Sequence, residues 1–372
     1  MAAGPALIVI GLSARALAAS ACRAGFAPLS IDVFGDDDTV ALSMATIRVG
    51  DDLARGLSHE RVLDAVASMV DRFQPIGLVY GSGFEDRAEI LESIGGITTV
   101  IGNSATAIRR AKDPIRLGCL CTETGIAHPD ILESAPAAPE GWLRKKHGGS
   151  GGTHVRPADA FDTVSLDHYF QRRVLGEPYS ALFLADGQRA QLVGFSGQWA
   201  SPTPAQPFRF GGVCGPISLE AANAASAARA IAELVGRLGL VGLNGADFIV
   251  AANETWLIEI NPRPGASLEV FDSTHEPLLA AHIAACAGSL KPLRSRDSFT
   301  AVETVYALLD TRTRAGFTWP YWAADRSPSG TLVRPGEPFC TVVAEGTTLA
   351  EARSLAERRS CEIIALAGEA ER

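Results

Sequence analysis

Apolar and polar residues fall into blocks whose lengths and spacing separate strands from helices along most of the chain. Over the first hundred residues, short apolar runs at Ala6–Ile10 and residues 28–34, 76–80 and 98–101 predict parallel strands buried on both faces. Residues 13–24, 60–73 and 85–94 between them read as helices, with Gly25 a fitting C-cap for the first. This alternation predicts a doubly wound half-domain, with an acidic turn at 35–38 after its second strand. Asn103 and Ser104 are placed to cap the next helix, which carries Lys112 into Asp113 and Pro114. The stretch 134–139 reads as a surface loop and Trp142–Lys146 as a strand. Near the end, 302–309 and 339–343 read as strands and 348–359 as a helix.

The most informative pattern lies at 245–265. Leu257, Ile258 and Ile260 interleave with Glu259 and Asn261, so a strand there puts both oxygen donors on one face. Residues 245–250 read as the neighbouring strand and 251–254 as a hairpin turn, which brings Asp247 beside Glu259 and Asn261. Three hard oxygen donors at the end of a buried hairpin suit Mg2+, which takes a few carboxylates together with phosphate oxygens and water.

Composition narrows the class. With 372 residues the chain is expected to hold two or three domains, and 47% hydrophobic residues are ample for packed cores. The net charge of −9, without a basic run, speaks against nucleic acid as a partner. The N-terminus lacks a basic leader and no apolar stretch is long enough for a bilayer, so a cytoplasmic protein with no membrane partner is expected. Seven cysteines are scattered, and Cys119 and Cys121 are too close for the usual zinc spacing, as expected of reduced thiols.

Only four of the 33 basic residues are lysines, and Lys112, Lys145 and Lys146 all lie where a phosphate site would need them. The segment 147–154 after Lys145 and Lys146 contains Gly148, Gly149, Ser150, Gly151 and Gly152. Glycines let backbone N–H groups approach phosphate oxygens. The segment is not a Walker A loop, because no Gly-Lys-Ser/Thr follows. Lys145 and Lys146 alternate faces, so one points at the ligand, and spacing favours Lys145. The first turn, Gly11 to Arg15, lacks G-x-G-x-x-G and so does not read as a dinucleotide site. Gly81-Ser-Gly83-Phe84-Glu85 follows a strand, where open sheets collect ligands, and is expected to face the substrate.

Together, Asp247, the 259–263 motif Glu-Ile-Asn-Pro-Arg and the lysine–glycine segment resemble the ATP-grasp superfamily. The resemblance implies an α/β ATP-grasp fold. Its parts would be an N-terminal doubly wound pre-ATP-grasp domain (1–102), a first subdomain with the glycine-rich loop (103–170), a second with the metal site (171–295) and a small C-terminal α+β domain (296–372). It implies that ATP is held by Lys112, Lys145 and the loop, and Mg2+ by Asp247, Glu259 and Asn261. Gln171, where the family usually has a glutamate, and Val174 would contact adenine. Glu177 is displaced from the family's ribose-binding acid and Pro178 follows it. Lys145 and Arg263 would be catalytic, Arg263 near the transferred phosphate or the acyl intermediate.

Such parts imply an ADP-forming carboxylate–amine ligase working through an acyl phosphate, with small-molecule acid and amine substrates. The motifs as a set resemble the tyramine–glutamate ligases of methanofuran and methylofuran biosynthesis in one-carbon metabolism. That resemblance implies glutamate as the acid and a tyramine-like amine as acceptor. Phe208-Arg209-Phe210 offers an arginine between aromatics, suited to a carboxylate and an arene or simply to packing. A biotin-carboxylase-like carboxylase, another ligase of the superfamily and a decayed ATP-binding regulator are the alternatives. A homodimer is among the assemblies expected.

Overall fold

The computed structural model describes residues 4–50, 56–163, 165–294, 296, 298–314 and 316–369. The first block runs β1 (Ala6–Ile10), α1 (Arg15–Arg23), β2 (Ala27–Asp32), α2 (Asp37–Leu42), β3 (Ala45–Arg48), α3 (His59–Phe73), β4 (Leu78–Tyr80) and α4 (Ala88–Gly95). Its four strands are parallel, in the order β3-β2-β1-β4. Side-chain alternation in β1 explains the two-sided winding. Ile8 and Ile10 enter a core with Val62 and Val66 of α3, whereas Leu7 and Val9 meet Leu17, Ala18 and Ala21 of α1.

Two expectations shift here. The acidic turn at 35–38 opens α2, whose first turn holds Asp37 and Asp38, where carboxylates suit the positive end of a helix. Residues 98–101 contribute only an isolated bridge, Leu78 to Val100. The remaining strand is instead β3, whose half-buried Ala-Thr-Ile-Arg carries too short an apolar signal to read.

Next come α5 (Ala105–Lys112) and α6 (Pro114–Thr124). The Ser104 hydroxyl caps α5 by accepting from the Ala107 N–H, and Asp113 does the same for Arg116 at the start of α6. Asn103 is not a cap; its side chain is buried elsewhere, as described below. A small sheet follows, of β5 (Ile131–Leu132), β6 (Trp142–Lys146), β7 (Arg156–Pro157) and β8 (His168–Arg172), in the order β5-β8-β6-β7.

The remainder is β9 (Glu177–Asp186), β10 (Ala190–Ala200), β11 (Phe210–Ile217), α7 (Ala221–Leu238), β12 (Val241–Ala251), β13 (Glu254–Asn261), α8 (Ser267–Phe271), α9 (Leu278–Cys286), β14 (Phe299–Tyr306), β15 (Thr311–Arg312), β16 (Ala323–Ala324), β17 (Leu332–Val333), β18 (Pro338–Gly346) and α10 (Leu349–Glu369). Eight of these strands form one sheet, in the order β13-β12-β9-β10-β11-β14-β18-β16, so the strands after residue 296 continue the sheet begun before it. Apolar residues of α7 cover one face, and those of α8, α9 and α1 pack on the other. All seven cysteines are free thiols. Among the described residues no helix is long and apolar enough to cross a membrane.

Arg15, buried at the start of α1, ties the first block to the rest. It pairs with Glu269 of α8 and Asp325, and Asp38 accepts from the backbone N–H groups of Asp325 and Arg326 at 3.0 and 2.9 Å. Acids outnumber this guanidinium. Asp36 is buried and its side chain makes no capping hydrogen bond. Burial, with Asp325, Asp32 and Asp38 nearby, pushes its carboxyl up to about 8. In the unfolded chain that group titrates near 3.9. Between those values only the unfolded state releases the proton as pH rises, so Asp36 subtracts from stability across that window. We predict that Asp36→Asn stabilises the protein by roughly 2 kcal/mol at pH 8 and by clearly less at pH 5. Denaturant unfolding at the two pH values checks this; an equal gain at both would show that the carboxyl carries no such penalty.

Candidate active site

The hairpin forms as the residue pattern predicts, with one departure that aims it. Ala252 and Asn253 make the turn with φ of 48° and 64°. Asp247 pairs with Glu259 and Gly245 with Asn261. Strict alternation would set Leu257 and Glu259 on the same face. A register shift between Asp247 and Phe248 leaves Ile258 as an extra residue, so Leu257 pairs with Phe248 in the core under α7 while Glu259 emerges on the opposite face.

On that face the three expected oxygen donors come together. The Asn261 amide donates to Asp247 Oδ2 at 2.8 Å and to Glu259 Oε1 at 3.3 Å. Gln198 Nε2 donates to Asp247 Oδ1 at 2.8 Å. Lys112, at the end of α5, donates to Asn261 Oδ1 at 3.0 Å and Glu259 Oε2 at 3.3 Å. Burial and the adjacent Glu259 push the Asp247 carboxyl up to about 6. Burial opposes ionisation of Glu259 too, but Lys112 and Lys145 outweigh it and hold that carboxyl well below its usual range. Two crowded carboxylates and an amide oxygen are a donor set that a hard divalent cation would satisfy. Among the described residues no three His, Cys, Asp or Glu side chains gather as a metal site.

Strand β6 separates the two adjacent lysines. Lys145 points inward, 5% exposed, and donates to Gln171 Oε1 at 3.0 Å. Burial favours its neutral form, but Tyr169, Glu259 and Asp247 keep its pKa raised and the ammonium charged. Lys146 points outward and pairs with Asp86 at 2.8 Å. The Gln171 amide also donates to the carbonyl that the bulged Ile258 presents, at 3.3 Å. It braces Lys145 against the hairpin.

The glycine-rich segment is folded tightly. A Cβ on Gly149 would lie 2.4 Å from the His154 ring, and one on Gly152 would lie 1.9 Å from the Phe208 carbonyl oxygen. Gly148, Gly151 and Gly152 have φ of 64°, 69° and 72°. Gly151 accepts from the Phe210 N–H at 2.9 Å, which fastens the segment to β11. Beneath it lies a shallow cleft whose lining includes Lys112, His128, Lys146, Gly149, His154, Gln171 and Glu259. Ser150 is half-buried within the same segment.

Other expected residues lie apart. Val174 is half-buried in the connection between β8 and β9. Glu177 is exposed at the start of β9, and alternation gives it the face of Tyr179, opposite the Ser180 that pairs with Asp247. It therefore does not join the acids. Arg209 is not free for a ligand carboxylate. It donates to the Ser201 carbonyl and hydroxyl and to the Gly336 carbonyl, and it lies 3.6 Å over the Tyr306 ring.

Arg263 meets a partner that sequence reasoning missed. Its Nε donates to Glu85 Oε1 at 2.6 Å, and Glu85 Oε2 accepts from the N–H groups of Gly83 and Phe84 at 2.7 and 3.0 Å. Burial resists the Glu85 charge, yet Arg263 and Lys112 hold its carboxyl below the usual range. Tyr80 and Phe84 pack beside this pair. Gln198 and His128 were also missed, and neither stands in a motif that marks it; His154 ends the glycine-rich segment.

Comparison with known proteins bears on the fold. An ATP-grasp domain model matches residues 121–267. No curated protein sequence matches the chain. Among solved structures, a biotin carboxylase from Campylobacter jejuni superposes with a TM-score of 0.71 at 13% identity, over 94% of this chain and 89% of that one. An L-amino acid ligase from Bacillus licheniformis gives 0.67 at 13% identity, over 96% and 97%. An N5-carboxyaminoimidazole synthetase from Staphylococcus aureus in complex with ADP gives 0.67 at 12%, over 96% and 97%. The chain has the mixed α/β ATP-grasp fold of these proteins.

The Glu85–Arg263 contact yields a test. Both side chains are largely buried, at 4% and 12% exposure, so removing either leaves an uncompensated charge. In a double-mutant cycle of Glu85→Gln and Arg263→Gln, each single change should destabilise by about 3 kcal/mol and the pair by much less than the sum. Additive losses in denaturant unfolding would mean that the two do not act as a unit.

Proposed function

We propose that the protein is an ATP-dependent carboxylate–amine ligase, with glutamate as the activated acid and tyramine or a related amine as acceptor, in methylofuran-type cofactor biosynthesis. The observation that carries the reaction type is the hydrogen-bonded cluster of Asp247, Glu259, Asn261 and Lys112, with Lys145 buried beside it, of which Lys112 and Glu259 line the cleft under the glycine-rich segment. The substrates rest on the motif resemblance.

In this reading Asp247, Glu259 and Asn261 would hold Mg2+, which when bound neutralises nucleotide phosphates. Lys145, braced by Gln171, and Lys112 supply fixed positive charge to the β- and γ-phosphates, with backbone N–H groups of residues 148–152. Val174 and its backbone border the adenine. An oxygen of the substrate carboxylate attacks the γ-phosphorus and ADP leaves. The amine nitrogen then attacks the acyl carbon, the C–O bond to phosphate breaks, and the amide and inorganic phosphate remain. Arg263, held by Glu85, steadies charge on the carboxylate and the transferring phosphoryl group. Catalysis is then mostly positioning and charge neutralisation by desolvated groups.

A carboxylase is the second reading, supported by the likeness to biotin carboxylase. Nucleotide products, with mass spectrometry of the mixture, distinguish the two. With Mg-ATP, glutamate and tyramine we expect ADP, phosphate and a γ-glutamyl amide, and sustained turnover only when both substrates are present. AMP would overturn the acyl-phosphate route, ADP formed only with another acid or amine would overturn the substrates, and ADP that depends on bicarbonate would favour the carboxylase.

Glu259→Gln keeps the shape of the metal site and removes a charge. Turnover should fall by at least about a hundredfold, while ATP affinity changes far less. Near wild-type kcat in excess Mg2+ would remove Glu259 from this role.

A further inference from the structure

Two consecutive acids, Glu85 and Asp86, tie one turn to two distant parts of the molecule. Glu85 is buried and accepts from Arg263. Asp86 is exposed, and its Oδ2 accepts from Lys146 Nζ at 2.8 Å. Tyr80 and Phe84 anchor this turn in the core of the first block. Lys146 ends β6, one residue beyond the buried Lys145, and leads into the glycine-rich segment. The backbone tightens the same contact. Gly148 has φ of 64°, and a Cβ there would lie 2.7 Å from Asp86 Cβ and 2.8 Å from its Cα and N. Only glycine lets the segment lie this close on Asp86. None of the roles above uses Asp86 or Lys146.

We infer that Asp86 is a positioning residue. With Lys146 and Gly148 it clips the glycine-rich segment to the 81–86 turn, so that the strand end bearing Lys145 and the turn holding Arg263 are set together. The side chains of Asp86 and Lys146 are 33% and 45% exposed. An ion pair so open to water shifts an equilibrium by only about two- to fivefold. That strength suits a contact that forms and breaks, unlike the buried pairing of Arg263 with Glu85. The inference rests on the ligase reading for its purpose. A nucleotide that holds the segment down also fixes the turn, and by linkage whatever orders the turn favours the closed segment.

Hydrogen exchange of the full chain at residues 147–154 and 81–86 tests the clip in wild type, Asp86→Ala, Lys146→Ala, the double alanine variant and the exchanged pair Asp86→Lys with Lys146→Asp. Asp86→Ala keeps the Cβ that meets Gly148 and removes only the carboxylate. Without ligand, each single variant should speed exchange at 147–154 about two- to fivefold, the double variant no more than either single one, and the exchanged pair should restore most of the protection. Rates unaltered by the single changes, or losses that multiply in the double variant, overturn the clip and leave the ligase reading intact. With Mg-ADP, wild type should gain protection at 81–86 as well as at 147–154, and Lys146→Ala at 147–154 alone. Equal protection of the turn in both proteins overturns the coupling. A wild type that binds no nucleotide by calorimetry overturns the ligase reading, while the ligand-free rates still decide the clip.

Discussion

A single buried amide, that of Asn103, holds the parts of this protein in register. Its Nδ2 donates to Asn244 Oδ1 at 2.8 Å and to the Pro262 carbonyl at 2.9 Å, and its Oδ1 accepts from the Val241 N–H at 2.7 Å. Every polar atom of the side chain is satisfied, at 1% exposure, so it is a rigid joint and not a strained one. The joint lies where the first block ends, where β12 begins and where β13 passes into Arg263. Tyr80 adds to it, donating to the Asn103 carbonyl at 2.9 Å. His282 completes the floor: Nδ1 accepts from the Leu243 N–H at 2.8 Å and Nε2 faces the Ile101 carbonyl at 3.0 Å. Because Pro262 is fixed from this side, Arg263 is presented to Glu85 at the end of the Gly81–Glu85 turn.

Buried cations recur wherever the blocks meet, and each is matched differently. Arg15 is surrounded by acids in excess, with a raised Asp36 among them. Arg263 has one carboxylate, itself held by two backbone N–H groups. Lys112 and Lys145 share Asp247 and Glu259 across the cleft. The first arrangement fastens structure. In the last, Lys112 and Glu259 line the cleft and Lys145 is buried behind them, so a ligand with both negative charge and an associated cation would meet groups of both signs there.

Much of the site was legible because it is local. The lysine pair and the glycines lie within ten residues, and Asp247, Glu259 and Asn261 lie within one hairpin, so alternation and turn chemistry were enough to bring them together. Where the reading failed, contacts distant in sequence decided. Asn103 reads as a cap from its position, but 141 residues separate it from its Asn244 partner. Glu85 and Arg263 are 178 residues apart. For Arg209 the sequence left packing and ligand binding open, and contacts as distant as Gly336 decided for packing.

The amino-acid sequence by itself determined the kinds of element, the parallel character of the first block, the hairpin and the chemistry of its donors. Each follows from periodicity, turn residues or ligand type over a few neighbouring positions. Only the tertiary structure decided which of the two adjacent lysines is buried against Gln171, how the chain's last strands join the central sheet and what Arg263 touches. It also decided that a bulge at Ile258 lets Leu257 enter the core while Glu259 reaches the cleft. The physical reason is that a one-residue shift in strand register reverses every side chain beyond it, and such a shift is stabilised by packing against α7 and by the Gln171 hydrogen bond, neither of which lies in the strand's own residues.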